Sequence, residues 1–249
     1  MKFTHMLVAG SLLLVGCQSP PPGGGESPGA SNTGAPVSVS SEAPPPVTPE
    51  ATPTSAPLET QPVTGKSKLE PLPGVKAPKL TKLVKAKFKT TQGDLLIEIY
   101  PEAAPGAAER FVELIKAGFY DNTPVFRVEP GFVCQFGINS KPGQVQWKNK
   151  MFADDPSYFH LAEGTLAFAK AGPDTNSTQV FINYQDNSRL VNEGNFTAFA
   201  KVVKGYENST KFKQVPEAGN QDALWKDTNG FVKSLANKPD TIIKAEIVK

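Results

Sequence analysis

Apolar and polar residues alternate in two neighbouring stretches, Val84–Thr90 and Asp94–Tyr100, with Leu95, Ile97 and Ile99 on one face of the second. A period of two sends successive side chains to opposite faces of a strand. Thr91, Gln92 and Gly93 supply the turn between them, so the pattern predicts a hairpin. The period then changes. Ala108, Phe111, Val112 and Ile115 fall at i, i+3, i+4 and i+7 after Pro105, a residue suited to a first helical turn, and Gly118 stops the run. One face of that helix is core. Further short strands are expected at Val125–Val128, Phe132–Gly137, Gly164–Ala169, Gln179–Asn183, Phe196–Val203 and Thr241–Val248, with a second helix near Tyr206–Lys213. Strands dominate, which suits a closed antiparallel barrel capped by helices; the pattern alone leaves a sandwich or an open sheet as alternatives.

From Gln18 to about Pro78 no such period exists. Gly, Pro, Ser and Thr crowd this stretch, with almost no aromatics and few branched aliphatics to bury. Such a segment cannot offset the entropy lost on ordering. The division expected is a tether over residues 17–80 and a compact domain over 81–249. As a spacer, about 60 residues would reach roughly 40 Å; filler of unselected length is the alternative. The formal net charge is +2 and the lysines are scattered, so no nucleic-acid footprint is expected.

The first residues carry their own pattern. Lys2 is followed by the apolar run Met6–Val15, which closes on Leu14-Val15-Gly16-Cys17. That run is shorter than the roughly 20 residues needed to span a bilayer, and small residues stand before Cys17, as at a secretory cleavage site. The segment resembles a bacterial lipoprotein signal. The resemblance implies cleavage after residue 16, lipid on Cys17, and a chain anchored outside the cytoplasm in the cell envelope, on the periplasmic face if there are two membranes. Several acyl chains anchor far better than one. With Cys17 lipidated, Cys134 is left without a partner for an intrachain disulfide.

Three blocks in the second part of the chain belong together: FKTTQGDLLIEIYPEAAPGAAERFVELIKAGFYDNTPVFRVEPGFVCQFG, GTLAFAKAGPDTNSTQVFIN and FTAFAKVVKG. In this order they resemble the cyclophilin family of peptidyl-prolyl cis/trans isomerases. The resemblance implies an eight-stranded antiparallel barrel capped by two helices, proline-containing polypeptides as substrates, and a monomer that needs no cofactor or metal. It makes Arg127 the catalytic residue. Phe132 and Phe181 become walls of a proline pocket, Val133 and Leu190 its remaining apolar lining, and Gln135 and Gln179 substrate-holding amides. The backbone of Ala169, Lys170 and Ala171 becomes an edge for an extended substrate. Phe196 stands at the pocket rim.

Several positions depart from that family's usual residues. Phe126 stands where many members have histidine and Phe136 where a glycine commonly follows, and both are expected to add bulk near the site. Lys170 replaces a common asparagine, and Arg189 stands where many eukaryotic members have a tryptophan important for cyclosporin. These changes keep a second reading open, that of a catalytically weak peptide-binding chaperone or envelope scaffold. Gln221–Lys238, with Trp225 and Phe231, is expected to be a surface excursion. One histidine, His160, beside Asp154 and Asp155 is not a convincing metal-ligand set.

Overall fold

The computed structural model describes residues 57–64 and 68–249. The expected signal segment, Cys17 and most of the expected tether lie outside the described residues. A two-residue strand β1 (Gln61–Pro62) pairs with the start of β2 (Lys82–Thr90), which turns through Thr91 and Gln92 into β3 (Gly93–Ile99). Gly93 has φ 123°, a conformation that L side chains rarely adopt, and this lets the strands reverse so tightly. Helix α1 (Pro105–Lys116) carries Pro at its first turn and buries Ala108, Phe111, Val112 and Ile115, the stripe read from the spacing, together with Ala107 and Leu114.

The remaining strands are β4 (Thr123–Glu129), β5 (Val133–Phe136), β6 (Thr165–Phe168), β7 (Val180–Asn183), β8 (Ala200–Lys204) and β9 (Thr241–Val248). They join in the order β2-β3-β8-β6-β7-β5-β4-β9, every pair antiparallel, and β9 returns to β2. Eight strands therefore close into a barrel, with β1 added outside the closure. An eight-stranded barrel leaves an interior that side chains fill. Here aromatic rings fill much of it: Phe111 lies 5.7 Å from Phe88, 5.4 Å from Tyr120 and 5.1 Å from Phe199, centroid to centroid.

The helices differ from expectation in number and place. Besides α1 there are α2 (Arg189–Gly194), α3 (Tyr206–Ser209) and α4 (Gln221–Ser234). The expected helix at Tyr206–Lys213 is only the single turn α3. Gln221–Lys238 is not a surface excursion: α4 occupies most of it and buries Leu224, Trp225 and Thr228 against the barrel. Asp227 breaks the helical backbone inside α4, with φ −157° and ψ 87°, and so interrupts the apolar period that would have announced the helix.

One compact unit runs from Leu58 to Lys249, so packing begins upstream of the expected boundary at residue 81. Leu69 is buried in a cluster with Tyr100, Phe159 and Leu161. The Leu72 amide donates to the Tyr158 carbonyl and the His160 amide to the Glu70 carbonyl, both at 2.9 Å. Single apolar residues among prolines have no period, yet one buried leucine and a few backbone bonds are enough to hold down this strap, residues 68–80.

Candidate active site

On the β4–β5 pair, alternation separates an inner face from an outer one. Phe126 and Val128 enter the barrel core, while Arg127 between them points out and stays partly exposed. On β5, Cys134 and Phe136 go inward, and Val133 joins a second apolar cluster outside the barrel. The expectation that Phe126 and Phe136 crowd the site is therefore corrected. The Phe136 ring packs on Phe88 and Tyr120 at 6.0 and 5.5 Å, and both phenylalanines are 2% exposed. Their bulk fills the core instead of the groove.

Four of the expected pocket residues do meet. Val133, Phe181, Leu190 and Phe196 are buried members of the second cluster, and half-buried Phe132 and Ala169 pack against it. Phe181 and Phe196 meet edge to face at 5.8 Å, a favoured aromatic geometry. Helix α2 brings in Leu190, and the cross-strand partner of Phe181 on β5 is Gln135. Two guanidinium groups lie over the Phe132 ring, Arg127 at 5.9 Å and Arg189 at 5.6 Å from its centroid. Such contacts hold a ring by attraction between a cation and its π face.

A line of polar side chains adjoins this cluster. Arg127 Nη1 donates to Gln135 Oε1 at 3.5 Å, the long limit of a hydrogen bond. Gln135 Nε2 donates to Gln179 Oε1 at 2.7 Å, and Gln179 Nε2 donates to Gln221 Oε1 at 3.0 Å. Gln221 was absent from the sequence-derived site; it lies far along the chain, and no spacing links it to the other three. The other end of Arg127 faces Glu129, Nε to Oε1 3.7 Å.

The edge Ala169–Lys170–Ala171 is less open than expected. The Ala169 amide donates to the Gln179 carbonyl at 2.9 Å and the Ala171 amide to Thr175 Oγ1 at 3.0 Å. Lys170 folds its side chain under the edge, where its ammonium meets the Asp154 carboxylate, donates to the Asn195 carbonyl at 3.3 Å and lies 5.5 Å from the Phe196 ring. Burial alone would raise the Asp154 carboxyl, but hydrogen bonds from Lys170 and Asn176 and the Lys170 charge outweigh it and hold this group below the usual carboxylate range. Asp155 shifts the other way: burial raises it despite the amides of Gly106 and Ala107 that donate to it at 3.1 and 2.8 Å. His160 Nδ1 is engaged with Ser188 Oγ at 2.8 Å. Burial pushes the Cys134 thiol up to about 12, so it is no thiolate nucleophile at neutral pH.

An apolar cluster with an adjoining guanidinium and amides offers a surface for a small ring and hydrogen-bond donors beside it. Residues 85–229 match a family model described as "Cyclophilin type peptidyl-prolyl cis-trans isomerase/CLD". Over 131 residues the chain is 34% identical to "Peptidyl-prolyl cis-trans isomerase-like 3" of Dictyostelium discoideum, covering 51% of this chain and 80% of that protein. It is 38% identical over 123 residues to "Peptidyl-prolyl cis-trans isomerase CYP18-1" of Arabidopsis thaliana, covering 47% and 75%. A longer relative, "Peptidyl-prolyl cis-trans isomerase-like 2" of Gibberella zeae, is 37% identical over 144 residues, but the chain covers only 24% of it. Among solved structures, the cyclophilin AquaCyp293 from Hirschia baltica superposes with a TM-score of 0.50 at 15% identity, over 66% of this chain and 73% of that one, a likeness of fold alone. The family match takes in more than half of the sequence and the whole Arg127-to-Gln221 line, and the chain belongs to the cyclophilin-type peptidyl-prolyl cis-trans isomerases.

Proposed function

We propose that this isomerase acts on prolyl bonds of exported polypeptides, with Arg127 as its catalytic residue, while a lipid on Cys17 tethers it to a membrane. The reading rests on one observation above others: the Arg127 side chain, 31% exposed, stands beside half-buried Phe132 at the edge of an apolar cluster, with Gln135 at its side.

The chemistry follows from the amide bond. Resonance gives the prolyl C–N bond partial double character and a barrier of about 18–20 kcal/mol, so uncatalysed exchange takes tens to hundreds of seconds. As the amide twists, its nitrogen regains a lone pair. A hydrogen bond donated to that nitrogen favours the twisted state over either planar one, which is differential binding of the transition state. Arg127 remains protonated at physiological pH and offers several donors in a rigid fork. Phe132, Val133, Phe181, Leu190 and Phe196 would hold the pyrrolidine ring while the preceding residue rotates. Gln135 would hold the moving carbonyl. No bond to the protein forms, and no proton needs to be transferred.

The competing reading, binding without turnover, draws on Phe126, Phe136 and Lys170. The first two rings lie in the barrel core and the Lys170 ammonium is paired with Asp154, so none of the three side chains stands over the apolar cluster beside Arg127. The test is cis/trans exchange of a proline tetrapeptide by the full chain in detergent, wild type beside Arg127→Ala. A rate that falls about 100-fold in a variant of unchanged thermal midpoint is expected; an inactive, folded wild type would refute the isomerase reading. For the tether, Cys17→Ser should release the chain from membranes, and unchanged retention would refute the anchor.

A further inference from the structure

We infer that Gln221 is a positioning residue of this site, one that turns the Gln135 oxygen toward Arg127 by closing a chain of oriented amides; the inference rests on Arg127 being the catalytic group. Each primary amide has an accepting oxygen at one end and a donating NH2 at the other. Arg127 can only donate, so the amide next to it must present oxygen. Gln135 then presents NH2 to the Gln179 oxygen, and Gln179 presents NH2 to the Gln221 oxygen. Every contact in the line runs in one direction. Flipping either middle amide sets NH2 against NH2 on one side and oxygen against oxygen on the other.

Gln135 is buried, 7% exposed, so it pays more for a lost partner than a solvated amide does. Gln179 and Gln221 are only half-buried. The last link therefore decides whether the middle of the chain stays ordered. Aligned amides also polarise one another and strengthen the hydrogen bond that Arg127 makes.

Gln221 is held firmly enough for this task. It is the first residue of α4, directly after Asn220, whose Oδ1 accepts from the Ala223 amide at 3.1 Å as a helix cap. Leu224 and Trp225 anchor the same turn in the core. Deeper in α4, Thr228 and Ser140 exchange two hydrogen bonds, the Ser140 amide to Thr228 Oγ1 at 2.9 Å and the Thr228 amide to Ser140 Oγ at 2.7 Å.

Three substitutions separate this role from a merely structural one. Gln221→Glu keeps an acceptor and retains the direction of the line. Gln221→Met keeps the length but accepts poorly. Gln221→Lys places a donor-only group at each end, and two amides between two donors cannot all be satisfied. In prolyl exchange by the full chain, Glu should keep the wild-type kcat, Met should lower kcat about three- to tenfold, and Lys should lower it at least as far, each with little change in KM. Equal kcat in all three, or a loss in Glu matching that in Met and Lys, would overturn the inference. The side-chain amide resonances of Gln135 and Gln179 provide a readout independent of turnover. They should move in the Met and Lys variants and hold in Glu; resonances that hold in all three would also overturn it. If the wild type had no activity, the isomerase reading would fall, while the resonances would still decide the orienting role of Gln221.

Discussion

Lys170 and Asp154 form an ion pair beneath the groove edge, with side chains only 4% and 13% exposed. Asn176 Nδ2 donates to the second Asp154 oxygen at 2.7 Å, so the carboxylate is held from two sides. Where the sequence offered Lys170 only as a replacement for a common asparagine, the structure uses its charge to tie Asp154 to the groove edge, with the ammonium 5.5 Å from the Phe196 ring centroid. Removing one member of such a pair strands the other in a poorly solvated place. Lys170→Met should lower the unfolding free energy by about 2–3 kcal/mol at pH 7, measured by denaturant titration.

The same pair sets a pH dependence. The Asp154 carboxyl is held below its ordinary value in the folded state, so the folded chain binds this proton less tightly than the unfolded chain does. Its contribution to stability is then full above about pH 4, the usual carboxylate value, and is lost as pH falls through the lower, folded value. Asp154→Asn should be less stable than wild type at pH 7, with the gap narrowing as the pH is lowered toward about 3. A gap that stays constant over that range would show that the pair contributes no proton-linked stability.

Upstream of the barrel, the strap is a structural part of the catalytic unit. Leu69 shares its cluster with Val133, Phe181, Leu190 and Phe196, the pocket residues themselves. Thr81 and Lys82 add amides that donate to Glu102 Oε2 at 2.6 and 3.0 Å. Deleting a buried leucine side chain costs about 3 kcal/mol. Leu69→Ala should therefore lower the thermal midpoint by several degrees, and a chain beginning at residue 81 should be less stable still. Midpoints equal to that of the full chain would show that the strap only lies on the surface.

What could be read from the sequence, and what could not, depends on range. The β2–β3 hairpin and α1 are local: alternation and i, i+3, i+4, i+7 spacing make their buried faces visible residue by residue. The strap and α4 are not, because Leu69 and Leu72 stand among prolines that break any regular element and Asp227 interrupts the helical period. Family resemblance brought Arg127, Gln135 and Gln179 forward, and the structure joins them in one line. It could not bring forward Gln221, whose role comes from where a distant helix begins. The facing of Phe126 and Phe136 was within reach of alternation alone: once Arg127 and Gln135 point out of the barrel, their immediate neighbours point in.

That facing makes two nearby phenylalanines behave oppositely. Phe126 is 2% exposed and belongs to the barrel core, so Phe126→Ala removes packed volume with little room for collapse. A loss of about 3–5 kcal/mol is expected, with the rate per folded molecule largely preserved. Phe132 is half-buried at the groove, with two guanidinium groups over its ring. Phe132→Ala should change stability by less than about 1 kcal/mol and weaken the grip on the proline ring, raising KM about tenfold, as loss of a partly buried aromatic contact would. Denaturant titration and steady-state exchange on the same two variants test this together. If Phe126→Ala proved the catalytic lesion and Phe132→Ala the folding lesion, the inner and outer faces of β4 and its turn would be reversed in solution.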